Sequence, residues 1–564
     1  MRLSKGLRYT SSARGWTHWI NSVGIDATST SSSLSPSRKA IANKYLTKIL
    51  TSQVYSAAIE TPLSYAANMS ALLGNEIYLK REDTQPVFSF KIRGAYNKIA
   101  NLSDEQRAKG VVTCSAGNHA QGVAMSASKL GIQATIVMPL ATPKIKVDAV
   151  RRFGGPTVDV KLHGQNYDEA AAEAKRLVAE KGLTLVHPFD DPDVIAGQGT
   201  IGMEIIKKLN GKNLDAVFVC VGGGGLLAGV AAYIKALRPD VKVIGVEADD
   251  AAGMTESLRA GKVVTLPSVG LFADGAAVRT VGTNTFDVCQ QLVDEMITVK
   301  TDEICAAIKL GFNDTRCVLE PAGALAIAGM VKYSKLYGHK NKTFVAISSG
   351  ANMDFDRLRF VSERADSSES LMAVSIPERP GSFRELYTLL YPRNVTEFIY
   401  RHNGTSKANV FVSFQALSGK SLDEDKLYVT RNLKENGYEV TDLSNNEMAK
   451  SHVKHLAGGR ATSDILKTSD ATIHYRELLY RFEFPEAPGA LNKFLSTVNH
   501  FNQGWSISLF HYRNHGHDFG RVLVGLLVKD SENKEFQSFL ENLGYNYYQE
   551  NGNAAAKLLL EILP

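Results

Sequence analysis

The sequence predicts an α/β protein of two lobes, each built on a parallel or mixed sheet, followed by an α+β region made of a tandem repeat. Three observations predict it. From residue 39 to about residue 364, short apolar runs alternate with amphipathic helical stretches, the pattern of βαβ units. Several of these runs end in turns rich in glycine, serine or asparagine, at the strand ends where α/β folds bind ligands. Beyond residue 370, Ile376-Pro377-Glu378-Arg379-Pro380-Gly381 returns as Phe484-Pro485-Glu486-Ala487-Pro488-Gly489, 108 residues later.

Length and composition set the limits. At 564 residues the chain has room for three or four domains. With 44% hydrophobic and 22% charged residues it has the composition of an ordinary globular protein. A net charge of +6 is small for this size, and no basic stripe interleaved with aromatics stands out, so no nucleic-acid partner is expected. Cys114, Cys220, Cys289, Cys305 and Cys317 are odd in number and lack CxxC spacing, which fits buried thiols in a reducing compartment. His511, His515 and His517 have no carboxylate partner at ligand spacing, so no metal is expected. Residues 216–234 are uncharged, but four glycines in their middle would break a lipid-exposed helix, so no membrane span is expected.

Taken in order, residues 1–37 carry Arg2, Lys5, Arg8 and Arg14, many Ser and Thr, and a single acid, Asp26; this is the composition of an organellar transit peptide. In residues 39–364, expected strands include 134–138, 158–162, 216–221, 243–247 and 343–347, with helices over 168–180 and 201–209. Lys91 stands in an apolar strip of Val87, Phe88, Phe90 and Ile92. Desolvation there pushes a lysine toward the neutral, nucleophilic amine, although a lysine stem can also pack while its head reaches solvent. The stretch VVTCSAGNHAQG reads as a strand, a turn and a helix start, which makes an anion-binding corner beside Asn118. Gly222, Gly223, Gly224 and Gly225, followed by Leu226, allow close backbone approach to a phosphate at a helix start. They match neither the dinucleotide-binding nor the Walker pattern. FVAISSGAN is a strand ending in a Ser-Ser-Gly turn. An activated lysine, a phosphate cradle, an asparagine corner and a strand-end serine are together what pyridoxal phosphate requires.

Residues 362–370, SERADSSES, read as a polar linker. The repeat then divides into modules 365–453 and 454–564, each ordered βαββαβ. EFIYRH of the first parallels SLFHYR of the second, and Gly437-Tyr438 parallels Gly544-Tyr545. Each Pro-Gly turn frees backbone N–H groups suited to an amino-acid carboxylate; a purely packing role for the repeat is the alternative.

The motifs SFKIRGAYN, SAGNHAQG, GGGGL, FADG, LEPAGA and SSGAN stand in the order and spacing of the fold-type II pyridoxal-phosphate enzymes, and from about Leu46 onward the chain resembles the biosynthetic threonine deaminases (threonine ammonia-lyases). The resemblance implies that Lys91 holds the cofactor and takes the α-proton, and that Gly222 to Gly225 with Leu226 and Phe90 surround the cofactor and its phosphate. It implies that Asn118 faces the ring oxygen and that Ser349, rather than Ser348, meets the ring nitrogen. Ser115, Gly117, Asn118 and His119 would receive the substrate carboxylate. The implied substrate is L-threonine, with L-serine second, and the products are 2-oxobutanoate and ammonia. ACT-like modules would bind isoleucine as inhibitor and valine as opposing effector, with Tyr400 and Tyr512 as candidate contacts. A homotetramer in the mitochondrial matrix, or failing that a plastid, completes the expectation. Asp354 and Ala276 depart from the family's usual residues. Competing readings are a serine dehydratase or another fold-type II lyase or synthase, a catalytically silent amino-acid sensor, and a nucleotide-binding oxidoreductase.

Overall fold

The computed structural model describes residues 35–209, 211–365, 369–377, 382–393, 395–400, 407–417, 420–451, 475–485, 490–501, 505–513 and 519–560. Most of the expected leader, both Pro-Gly turns, and His515 and His517 lie outside them. The chain forms two compact units that divide between Met353 and Asp354. This is ahead of the expected division at 364. Helix Arg357–Arg364 falls in the second unit, and a strand starts at Glu369, so regular structure enters both ends of the stretch read as a linker. Its polar residues have a reason: Arg364 donates to both carboxylate oxygens of Glu447, at 3.1 and 2.7 Å.

The first unit holds strands β1 (Leu63–Tyr65), β2 (Glu76–Arg81), β3 (Val111–Cys114), β4 (Ala134–Met138), β5 (Val158–Leu162), β6 (Thr184–Leu185), β7 (Ala216–Cys220), β8 (Lys242–Ala248), β9 (Glu295–Val299) and β10 (Thr343–Ser348). They make a six-stranded sheet, β1-β2-β10-β7-β8-β9, and a four-stranded sheet, β5-β4-β3-β6. All pairs are parallel except β1 with β2. Strands β3, β7 and β10 are buried along their whole length, which is why they read as continuous apolar runs rather than alternating ones. Residues 216–234 resolve into β7, the glycine turn and most of helix Gly225–Leu237. No helix among the described residues is long and apolar enough to cross a membrane.

Two helices differ from expectation. Pro36–Leu50 begins inside the expected leader, capped by the Ser35 hydroxyl. The helix read as 201–209 is the second half of Pro192–Lys208, which the Asp191 carboxylate caps at the N–H groups of Asp193 and Val194. Gly197, Gly199 and Gly202 interrupt its apolar periodicity, yet they are places where neighbours press close. A Cβ on Gly197 would lie 2.6 Å from the Arg93 carbonyl oxygen, and one on Gly199 would lie 2.4 Å from Ile49 Cδ1. Close helix packing here overrides local helix propensity.

In the second unit, β11 (Glu369–Pro377), β12 (Val395–Tyr400), β13 (Lys407–Gln415) and β14 (Glu439–Asp442) form an antiparallel sheet in the order β12-β13-β11-β14. Strands β15 (Tyr475–Pro485), β16 (Ser506–Arg513), β17 (Phe519–Lys529) and β18 (Asn546–Gln549) repeat it as β16-β17-β15-β18. Helices Ser382–Leu390 and Leu422–Glu435 belong to the first sheet, and Ala490–Phe501 and Asn533–Leu543 to the second. Each module is therefore βαββαβ. The register slips at one step in both, between Val395 and Glu397 in β12 and between Ile507 and Leu509 in β16. Leu371, Phe411, Leu479 and Leu523 contribute to one apolar cluster shared by the modules.

Candidate active site

Lys91 opens helix Lys91–Ala100, and the chain leading to it is clipped to the turn after β10. The Ala351 N–H donates to the Phe88 carbonyl at 2.8 Å, and the Phe90 N–H to the Ser349 carbonyl at 3.1 Å. Ser89 and Gly350 form a β-bridge between them. Phe88 sits at φ 56°, a strained conformation for a phenylalanine, of the kind that persists where surrounding contacts over-determine it. The helix beds tightly onto its neighbours, since a Cβ on Gly122 would come within 3.2 Å of the Lys91 backbone. Phe90 is buried, and the Lys91 amine lies 5.2 Å from its ring centroid. The amine donates to the Pro188 carbonyl at 2.9 Å. Lys91 keeps part of its surface, but desolvation of the amine lowers its pKa to about 8, against the opposing pull of Cys220 and Glu320.

The glycine turn runs from the end of β7 into helix Gly225–Leu237, with Gly224 at φ +95°. Side chains have no room here. A Cβ on Gly223 would stand 2.2 Å from the Phe189 ring, one on Gly222 3.0 Å from the Ala276 backbone, and one on Gly225 2.9 Å from the Phe189 carbonyl oxygen. Bare backbone N–H groups at the start of a 13-residue helix without an acid in its first turn make an anion cradle. Leu226 is buried beneath it. From behind, the Thr285 hydroxyl donates to the Gly223 carbonyl at 2.6 Å, while Asp190 accepts from the Thr283 and Thr285 N–H groups at 3.1 and 3.2 Å. Residues 188–190 thus hold the Lys91 amine, wall the glycine turn and brace its support. The sequence reading did not single them out; a Pro-aromatic-Asp run is their only local signal.

Asn118 opens helix Asn118–Leu130 after Gly117. Its amide nitrogen donates to Glu320 Oε1 at 2.5 Å, and its amide oxygen accepts from Asn352 at 2.7 Å, so both ends of the amide are fixed. Glu320 lies in LEPAGA and Asn352 in SSGAN, motifs noted without roles for these two residues. The space where a Gly117 side chain would stand is open, and the Gly117 N–H donates to the Ser115 hydroxyl at 3.3 Å. His119 turns inward. Its Nε2 meets the Val186 carbonyl at 2.9 Å, and a carbonyl only accepts, so Nε2 carries the proton. Burial pushes its pKa down to about 3, so the ring is neutral, and of its groups the backbone N–H suits an anion. Ser349 Oγ, buried, accepts from the Cys220 thiol at 3.2 Å and donates to the Ala322 carbonyl at 3.3 Å. Ser348 Oγ is buried without a partner.

Behind the site, four charged side chains are fully buried: Lys80, Glu82, Arg93 and Glu204. Arg93 holds Glu82 through Nε and Nη2, both at 2.8 Å, and Glu204 through Nη1 and Nη2. Lys80 also reaches Glu204. Burial raises a carboxylate's pKa, but at Glu82 the Arg93 guanidinium outweighs that and holds it below the usual range. Arg93 lies two residues beyond Lys91, and sequence reading gave it no role.

In the second unit, Tyr400 pairs with Val410 and Tyr512 with Val522. These are corresponding positions of the two modules; both side chains lie outside the described residues.

Residues 54–350 match the model of the family described as pyridoxal-phosphate dependent enzyme. Residues 362–453 and 470–560 match the C-terminal regulatory domain of threonine dehydratase. The chain is 52% identical to the L-threonine dehydratase biosynthetic IlvA of Burkholderia multivorans, over 92% of this chain and 99% of that one. It is 48% identical to the mitochondrial threonine dehydratase of Saccharomyces cerevisiae, over 92% of this chain and 89% of that one. Among solved structures, the processed form of threonine deaminase isoform 2 from Solanum lycopersicum is similar with a TM-score of 0.56 and 53% identity, covering 57% of this chain and 88% of that one.

Proposed function

Since the chain belongs to the biosynthetic threonine dehydratases, pyridoxal-phosphate-dependent lyases with a C-terminal regulatory domain, we propose how its residues divide the reaction. The reaction is the deamination of L-threonine to 2-oxobutanoate and ammonia. The residues present fit the cofactor: a desolvated amine, a cradle that a single Cβ would fill, and a hydroxyl and an amide aimed from two other strand ends. Bound pyridoxal phosphate supplies an aldehyde for amines and an electron-withdrawing ring that acidifies the substrate's Cα–H.

Lys91 would hold the aldehyde carbon until the substrate's amino group replaces it there, and the amine so freed would then remove the α-proton. A pKa near 8 leaves it a usable fraction of neutral base near neutral pH. The N–H groups of Gly222 to Gly225 and Leu226 bind the phosphate, with Phe90 against the ring. Asn118, fixed by Glu320 and Asn352, faces the ring oxygen. Ser349 meets the ring nitrogen as a neutral partner, which, unlike a carboxylate, does not favour a protonated ring. Backbone and side-chain donors of Ser115, Gly117, Asn118 and His119 receive the substrate carboxylate. The observation that carries this assignment is the desolvated Lys91 amine beside the backbone clip that joins Phe90 to Ser349.

For the rest, we propose the first unit, from residue 39 to Met353 rather than to 364, as the catalytic part, and the two ACT-like modules, 365–453 and 454–564, as the sensor of isoleucine as inhibitor and valine as opposing effector. Tyr400 and Tyr512 at matching positions support paired sites. A homotetramer, L-serine as second substrate, and import into the mitochondrial matrix through residues 1–37 complete the proposal; the mitochondrial yeast relative supports the last. The test is the initial rate of 2-oxo acid formation from L-threonine, with and without isoleucine. Suppression by isoleucine supports both halves. A rate indifferent to isoleucine refutes the effector assignment, and no oxo acid from L-threonine refutes the site assignment.

A further inference from the structure

Cys220 ends β7, and Ser349 follows the last residue of the neighbouring parallel strand β10. Their side chains meet inside the protein, Sγ to Oγ at 3.2 Å, with both residues buried. We propose that Cys220 is a positioning residue for Ser349: the thiol donates into the serine oxygen, which makes the serine hydroxyl a stronger donor and a weaker acceptor toward the cofactor's ring nitrogen and so favours that nitrogen unprotonated. The inference rests on the reading of Ser349 given above and deepens it.

The argument is one of donor accounting. A hydroxyl has one proton and two lone pairs. Ser349 now spends its proton on the Ala322 carbonyl at 3.3 Å, a long contact for O–H···O and therefore readily exchanged for a better acceptor. One lone pair is already occupied by the thiol. Donation into an oxygen strengthens donation out of it, so the thiol makes Ser349 a better donor and a poorer acceptor. A ring nitrogen that carried a proton would have to donate into the oxygen's second lone pair, which the thiol's donation has weakened as an acceptor. The thiol stays a donor throughout the working pH range, because burial pushes its pKa up to about 11. Ser349 and Lys91 pull the other way, and Glu320 adds to the rise; Lys91 and Glu320 are the charged groups facing it.

The test uses holoenzyme loaded with pyridoxal phosphate labelled with ¹⁵N in the ring, whose nitrogen chemical shift reports its protonation, measured from pH 6 to pH 9. Cys220→Val fills the space without offering a donor and keeps water out; Cys220→Ser restores a donor. Wild type and Cys220→Ser should hold the nitrogen unprotonated, whereas Cys220→Val should raise the protonated-to-unprotonated ratio about tenfold, an upward pKa shift of about one unit. Ser349→Ala should move the resonance further in the same direction. A Cys220→Val spectrum equal to wild type, with Ser349→Ala shifted, overturns the role of Cys220 alone. An unshifted Ser349→Ala spectrum overturns the reading of Ser349, and the role of Cys220 with it.

Discussion

Arg93→Met removes the cation that holds two buried carboxylates at once, and the contacts set the size of the loss. Glu82 forfeits both guanidinium bonds and keeps only the Thr61 hydroxyl and the Gln85 amide; Glu204 keeps Lys80, Tyr55 and the Thr61 N–H. Stripping one partner from a buried pair costs about 3–5 kcal/mol, because a charge is left without compensation in a dry site. For a unit of this size the unfolding entropy is about 0.7 kcal/mol/K, so the melting point should fall by about 4–7 °C. The two units can be followed separately: cofactor absorbance reports the first, while in a Trp16→Phe/Trp19→Phe background the remaining tryptophan, Trp505, reports the second. Only the first signal should move. In Arg93→Met/Glu82→Gln the new amide oxygen still accepts from Gln85 while its NH2 donates to the Thr61 hydroxyl, which turns from donor to acceptor, so no charge is left bare and at least half of the loss should return. A fall below about 1 °C, or a double variant that loses the full sum of both single changes, would refute the claim that the cluster is electrostatically coupled.

Other outcomes follow from the site. The folded-state pKa of Lys91 is depressed from 10.5 to about 8, so burial of its charge costs stability fully below pH 8, and that cost is relieved as pH rises from 8 to 10.5. Cofactor-free wild type should therefore gain up to about 3 kcal/mol relative to Lys91→Met across that window, read by urea unfolding at each pH, and Lys91→Met should form no product. Gly223→Ala places a methyl group in the Phe189 ring and should weaken cofactor binding at least tenfold in equilibrium dialysis, with Phe189→Leu restoring part of it. Asn352→Ala frees the Asn118 oxygen and should lower kcat about tenfold with cofactor affinity nearly unchanged; an unaltered kcat would remove Asn352 from the positioning of Asn118. Glu447→Gln loosens Arg364 and Arg521 and should shift the isoleucine inhibition midpoint at least threefold while the uninhibited rate holds.

Much of the fold was legible because parallel strands buried on both faces leave unbroken apolar runs. The strand over 134–138 begins and ends where expected, and β7 and β10 differ by one residue at their ends; the edge strand over 158–162 matches as well, but through the alternation of VDVKL rather than an unbroken apolar run. The glycine turn and Lys91 were legible for a local reason: a single stretch of chain carries the composition their chemistry needs. The charge cluster was not, since Arg93 meets Glu204 across 111 residues and Lys80 meets it across 124; no window of sequence displays that pairing. The inward turn of His119 was hidden likewise, because the Val186 carbonyl that claims its ring arrives from another strand end. The helix expected over 201–209 starts nine residues earlier, and Gly197 and Gly199 in its added part are contact points for neighbouring groups.

The register slip in the two regulatory sheets bears on ancestry. Thr396 and Ser508 are 112 residues apart and mark the same step of the same ladder, with Val395 opposite Phe414 and Ile507 opposite Leu526. One surplus residue at one matching step is simplest as an inheritance: the bulge was already present in a single ancestral module before its gene segment duplicated. Pro377 and Pro485, by contrast, are 108 residues apart. The two copies therefore differ by four residues between that proline and the bulge, the segment in which Ser382–Leu390 of one stands against the longer Ala490–Phe501 of the other. The copies have diverged in the helix that leads into the bulge and kept the bulge itself.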